Sequence, residues 1–258
     1  MDVYIFKYHE VTDKPNKSGF TNKGAYPYKH TKRRFKDDLE IIISKFHKST
    51  TVNKIKQGKK ENLILTFDDG GNSAMYIAEE LEKLNCKGHF FIVTSLINKN
   101  NFLTAKQIKE LSTRGHVIGT HSHTHPTLFR DLSMRKKDFE WSKSKAILEG
   151  ILGQKITTAS IPGGDMNDAT IESAARSGIK HLFTSEPGLK IWVKFGVNCY
   201  PAFCPKNKTS KQLIIKWTNG KGLLGLKLMR HIKNFIKIVL KPIYKLNLFI
   251  FSTSANKL

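Results

Sequence analysis

The chain has 258 residues, 39% hydrophobic and 25% charged, enough for one substantial α/β domain with a real core. Its formal net charge of +23 points to an acidic partner: nucleic acid, anionic lipid headgroups or an anionic polymer. Cys86, Cys199 and Cys204 form no C-x-x-C pair and no even framework, which excludes a disulfide scaffold and favours reduced thiols in a cytosolic setting.

Met1-Asp2-Val3-Tyr4-Ile5 opens the chain without the apolar core of a secretory signal, and no apolar run reaches the ~18 residues of a membrane span. Val3 to Phe6 reads as a first strand leading into Tyr8-His9-Glu10-Val11. Residues 12–34 are polar and rich in Lys, Asn, Gly and Pro, the composition of a long surface loop. Apolar residues at 35, 39, 42, 43 and 46 have a helical period, and 48–61 reads as another basic loop.

Leu63-Ile64-Leu65-Thr66-Phe67 is a buried strand that ends at Asp68-Asp69-Gly70-Gly71. Further on, a helix is expected from about Ser73, its candidate N-cap, to Leu84, then a strand over 89–93. Thr104 and Gln107 outline a capping box for a helix to Ser112, and a strand follows from His116 to Thr120. A helix over 134–152, a strand over 157–161 closed by Pro162-Gly163-Gly164, a helix capped by Asn167 and a strand over 181–184 complete the pattern. Strands alternating with helices argue for a parallel sheet with helical crossovers, closed into a small or incomplete (β/α) barrel. The candidate polar residues fall just past strand ends, where ligand sites form in such architectures.

Adjacent side chains on extended backbone point to opposite sides, so Asp68 and Asp69 should have different roles. An Asp-Gly turn with both acids solvated is the plainer alternative. His121 and His125, in His121-Ser122-His123-Thr124-His125-Pro126, can aim two imidazoles at one ion. Two imidazoles and one carboxylate leave a coordination position open for water, as catalytic zinc sites require, whereas a His-rich surface loop would need none of this. His123 is expected to turn away from its neighbours.

Thr66-Phe67-Asp68-Asp69-Gly70 followed by His121-Ser122-x-x-His125 resembles the first two motifs of the polysaccharide deacetylases, the NodB-homology or carbohydrate esterase family 4 enzymes. Tyr8-His9-x-Val11 is similar to an N-terminal motif of one branch, and Ile161-Pro162-Gly163-Gly164 to the third motif. The resemblance implies an irregular (β/α) barrel over residues 1–204, with Asp68 as catalytic base and Asp69, His121 and His125 holding a divalent metal. Zinc is the default ion, with cobalt or nickel compatible. It also implies a substrate and oxyanion loop at Pro162, Gly163 and Gly164, and an acetylated amino-sugar glycan as substrate.

The sequence departs from the family pattern in its later motifs. Ser160 stands where an Arg usually tunes the base, the Asp-Trp motif is replaced by Thr184-Ser185-Glu186-Pro187-Gly188, and no Leu-x-His supplies a general acid. His9 can take that role; a core histidine at position 9, or a barrel that binds sugar without turning it over, are the alternatives.

Residues 187–258 contain no Asp or Glu. Within them, cations at 227, 230, 233, 237 and 241 oppose Leu228, Ile232, Phe235, Ile236, Val239 and Ile243, with Pro242 set to end the helix. Residues 205–258 are thus expected to form a basic amphipathic extension. It could lie on an anionic membrane surface or pack on the barrel, and nucleic acid finds no recognition motif. The whole reads as a metal-dependent N-acetyl hydrolase acting on a surface glycan or its lipid-linked precursor, at the cytoplasmic face of a membrane.

Overall fold

The computed structural model describes residues 2–55, 61–164 and 166–239. Strand β1 (Asp2–Tyr8) pairs in parallel with β4 (Glu61–Phe67), and β5 (His89–Ile92), β6 (Val117–Thr120), β7 (Thr158–Ser160), β8 (His181–Phe183) and β10 (Val197–Tyr200) extend the sheet in that order. All of these pair in parallel, and among the described strands only β9 (Trp192–Lys194) runs antiparallel, at the edge beside β10. Two strands of two residues, β2 (Glu10–Val11) and β3 (Lys29–His30), form a separate parallel pair.

The sheet curls. β1 and β7 are separated by three strands, yet Lys7 Nζ donates to Ser160 Oγ at 2.9 Å across the interior. The chain beyond β10 returns to β1, where Phe203 N–H donates to Ile5 O and Lys7 N–H to Phe203 O, both at 2.8 Å. The expected irregular (β/α) barrel is therefore present, with its seam closed by single backbone contacts rather than a full strand.

Strand alternation sorts the side chains. Val3, Ile5, Ile64, Phe91, Phe183 and Tyr200 fill one apolar cluster, and Lys7 and Asp68 continue the same rows to the strand ends. The opposite face of β1, β4 and β5 carries Tyr8, Phe67 and Phe90; Tyr8 and Phe67 meet Phe35 of α1 (Lys32–Phe46), and Phe90 stacks on Phe67. Strands covered on both faces are apolar throughout, as parallel sheets require. A second cluster joins Trp141 of α4 (Met134–Leu152) and Ile171 of α5 (Asp168–Arg176) to Ile161, Leu182 and Cys199.

Helix ends follow local chemistry. Ser133 and Asn167 cap α4 and α5, Gly153 stops α4 in the left-handed region, and Thr104 with Gln107 completes the box on α3 (Ala105–Thr113). For α2 (Ser73–Lys83) the expected cap is displaced: Asn72 holds that position, and Ser73 Oγ donates to Glu10 Oε2 at 2.6 Å. The three cysteines are free thiols.

Two regions differ from the sequence expectation. Residues 12–34 are more than a surface loop: Ser18, Lys29 and His30 are buried and α1 begins at Lys32. The compact unit also runs to Lys221, beyond the expected boundary at 204, because α6 (Lys211–Thr218) buries Ile214 and stacks Trp217 on Phe203 at 5.3 Å. Beyond Lys221 the described residues form a second unit, helix α7 (Leu223–Val239). The expected helix end near Pro242 lies outside the described residues. Among these, no helix is long and apolar enough to cross a membrane.

Candidate metal centre and base

Asp68 and Asp69 sit where β4 ends, held by Asp68 N–H donating to Tyr8 O at 3.0 Å. Asp69 has φ of 79°, a left-handed turn that swings its carboxylate away from the strand direction. Asp tolerates this region better than most residues, and such outliers gather at functional sites. Ser122 (φ 65°) and His125 (φ 56°) adopt the same region in the loop after β6.

That loop is built around two anchors. Ser122 Oγ accepts the His125 N–H at 3.0 Å, and Glu140 of α4 accepts the His123 and Thr124 N–H groups, both at 2.8 Å. His121 and His125 consequently face Asp69: Asp69 Oδ1 lies 3.5 Å from His121 Nε2 and 3.7 Å from His125 Nε2. One donor atom from each of the three residues falls within 4.8 Å of the others. His123 turns its Nδ1 to Thr94 Oγ1 at 2.9 Å and is not among the donors.

The donor chemistry fits a divalent cation. Ser160 O can only accept, so the His121 Nδ1 at 2.9 Å carries the proton and leaves the Nε2 lone pair toward Asp69. Burial lowers His121 to about 3 against the opposing charge of Asp68, and lowers His125 as well, so both imidazoles are neutral donors. Burial, then the Asp68 and Glu10 charges, push the Asp69 carboxyl well above its usual range. Lys7 and Lys29 offset this only in part, and a zinc-like ion between the carboxylate and two neutral imidazoles would supply the missing positive charge.

Asp68 is held differently. Burial raises it, but the Lys7 charge above all, with the His121 and His9 rings and the Ser160 hydroxyl beside it, outweighs that and brings it down to about 2. Lys7 Nζ stands 3.1 Å from Oδ2, and Ser160 Oγ donates to the same oxygen at 2.8 Å. Oδ1 is buried and accepts from no described donor. Asp68 is therefore ionised with one oxygen tied down and one open. Two adjacent carboxyls driven apart by their surroundings are suited to two roles.

His9 follows β1. Burial drops it to about 4 despite the nearby Asp68 charge, its Nδ1 is buried without a described partner, and its ring lies 4.7 Å from that of Tyr28. In the third loop Pro162 has no N–H and Gly164 N–H donates to Ile161 O at 3.0 Å. Gly163, exposed with φ of 62°, is the member of the three with its N–H left to offer. A side chain at Gly164 would collide with Ser185 Oγ.

Sequence reasoning missed Lys7, Glu10 and Glu140. A lone lysine inside the apolar run Tyr4-Ile5-Phe6-Lys7-Tyr8 was the available signal for the first, since a strand covered on both faces buries a charge only beside a partner. Glu10 and Glu140 carry no sequence mark: each is recognised by the groups that the fold brings to it.

Residues 55–182 match the polysaccharide deacetylase family. Over 134 residues the chain is 29% identical to YxkH of Bacillus subtilis (strain 168), a polysaccharide deacetylase by name; the match covers 52% of this chain and 48% of that one. It is 28% identical over 155 residues to the peptidoglycan-N-acetylglucosamine deacetylase PgdA of Listeria monocytogenes serotype 1/2a (strain 10403S), covering 58% of this chain and 32% of PgdA. The chain thus spans about half or less of the length of these relatives. The crystal structure of BC0361, a polysaccharide deacetylase from Bacillus cereus, superposes with a TM-score of 0.71 at 18% identity, over 84% of this chain and 69% of that one. This is an α/β half-barrel of the deacetylase type. The chain belongs to the polysaccharide deacetylase family.

Proposed function

We propose that the chain hydrolyses the N-acetyl group of an amino sugar in a glycan, with Asp69, His121 and His125 holding a divalent ion, zinc by donor type. The observation that carries the reading is the convergence of these three donors within 4.8 Å, beside an ionised Asp68. An ion held there supplies Lewis acidity, polarising a carbonyl and making water more acidic.

The chain's own groups account for the proton. The oxygen of water bonds to the acetyl carbon while Asp68, through its open Oδ1, takes one proton. The Gly163 N–H is offered to the developing oxyanion. Burial keeps His9 neutral at rest, so the proton it delivers to the departing amine is the one passed on from Asp68. The C–N bond breaks, the nitrogen leaves as a neutral –NH2 group, and the acetic acid proton is then lost to solvent or to that amine.

The same reading extends to where the chain works. Leu224, Leu228, Met229 and Ile232 are exposed on α7, Lys227 is exposed beside them, and residues 187–258 hold no acid. These features support an anionic membrane surface as partner and work on a surface glycan or lipid-linked precursor at the inner face. Co-sedimentation with phosphatidylglycerol vesicles tests it: a chain ending at Lys221 should stay in the supernatant.

Catalysis is tested by acetate release from N-acetylglucosamine oligomers and from peptidoglycan. Release by the wild type, lost in Asp68→Asn, supports the hydrolase. Binding of the oligomers without release supports the alternative, a non-catalytic carbohydrate-binding barrel.

A further inference from the structure

Residues 12–30 bring two aromatic rings against two histidines of the candidate centre. Phe20 lies 5.1 Å, centroid to centroid, from the His125 ring, and Tyr28 lies 4.7 Å from the His9 ring. Both rings are partly exposed, and neither belongs to the donor set or to the base and its partners.

The rings are fixed from beneath. Glu10 is buried and its Oε2 accepts from Ser73 Oγ at 2.6 Å and from Ser18 Oγ, while Ser73 N–H donates to Ser18 Oγ at 2.8 Å. The Glu10 carboxylate occupies the space where a side chain at Gly71 would stand, so it fastens the loop to the turn that carries Asp69. Lys29 Nζ donates to Ser18 O at 2.6 Å and to Pro15 O, closing the segment on itself. Gly19 N–H donates to Asn101 O at 2.8 Å, and Phe102 meets Phe20 edge-on at 5.3 Å, backing the ring that faces the centre.

We infer that Phe20 and Tyr28 form a carbohydrate-stacking subsite that grips the pyranose ring bearing the acetamide. This rests on the amino-sugar reading above. A pyranose presents C–H groups on its faces and hydroxyls at its rim, and a half-exposed aromatic wall accepts the former while water or polar groups serve the latter. A ring held in place before the ligand arrives loses little freedom on binding, so the buried Glu10 cluster beneath contributes to affinity through preorganisation. The polar composition of residues 12–30 conceals this role: Asp13, Lys14, Lys17 and Lys23 are exposed, while Lys29 turns inward to the fastening.

The test uses the full chain loaded with zinc and the N-acetylglucosamine tetramer. Phe20→Leu and Tyr28→Leu keep apolar bulk and remove the ring; Phe20→Tyr and Tyr28→Phe keep the ring. The Leu variants are expected to raise KM about tenfold with kcat within about threefold and zinc content unchanged, while the ring-retaining variants stay near wild type. A KM within twofold of wild type in both Leu variants overturns the subsite, as does loss of zinc, which would make the rings props for the histidines. Should the wild type release no acetate, calorimetric titration of the tetramer decides separately from the hydrolase reading. Binding weakened about tenfold in the Leu variants upholds the subsite, and no binding to the wild type, or equal binding throughout, overturns it.

Discussion

Lys7 Nζ and Asp68 Oδ2 lie 3.1 Å apart, from neighbouring strand ends, with both side chains only 2% exposed. The pair places a fixed cation against the candidate base at the point where Ser160 is too short to bring a charge of its own. Removing one partner of a buried ion pair strands the other, at a cost of about 3–5 kcal/mol. Lys7→Met is therefore expected to lower unfolding free energy by that order and to reduce acetate release, read by urea denaturation and the tetramer assay. Stability within ~1 kcal/mol of wild type would show that the pair is not held as described.

Glu140 governs the histidine loop without touching the donors. It accepts two backbone N–H groups at 2.8 Å and Thr124 Oγ1 at 2.6 Å, between His121 and His125. Groups that orient metal ligands typically influence affinity by about 10–100-fold. Glu140→Ala should weaken zinc binding by that factor in calorimetry while leaving Asp68 and Lys7 in place. Unchanged affinity would assign the loop's shape to Ser122 alone.

His9→Gln separates the proposed acid from the metal site. Loss of a positioned acid or base typically costs about 10²–10⁴ in rate. The variant should keep its zinc and lose kcat by that order; full activity would require another proton donor.

Far from the centre, Glu82 sets an acid limit on stability. The Arg114 hydrogen bond, against the burial that opposes it, brings Glu82 from 4.5 to about 2, with Lys87 and His116 assisting. A carboxyl depressed in the folded state contributes stability that is present above pH 4.5 and lost as pH falls through about 2. Glu82→Gln should thus be less stable at pH 7 and show a flatter decline between pH 4.5 and 2 in urea titrations. Parallel curves for the two proteins would contradict the assignment.

Much of this architecture is legible along the sequence. Strand runs ending at Asp68, His121 and Pro162 mark both the parallel sheet and the site, because parallel strands deliver their ends to one face. Helix α4 is bounded as the caps Ser133 and Gly153 dictate. What escapes is long-range pairing of polar groups. Residues 12–34 look solvated by composition, yet Glu10, Ser18 and Lys29 satisfy one another inside the fold. Lys7 gains meaning only once curling brings Ser160 from β7 beside it. The packing of residues 205–221 is hidden for a similar reason: charge marks the tail as separate, yet Ile214 and Trp217 are buried within the first compact unit.

Asp69, His121 and His125 are expected to share one ion. Zinc titration calorimetry of the metal-free wild type against Asp69→Asn, which keeps the left-handed backbone tolerated, tests it most directly. One ion per wild-type chain and a loss of at least about 100-fold in affinity in the variant are predicted, with acetate release falling in step. Equal zinc binding in both proteins would contradict the site.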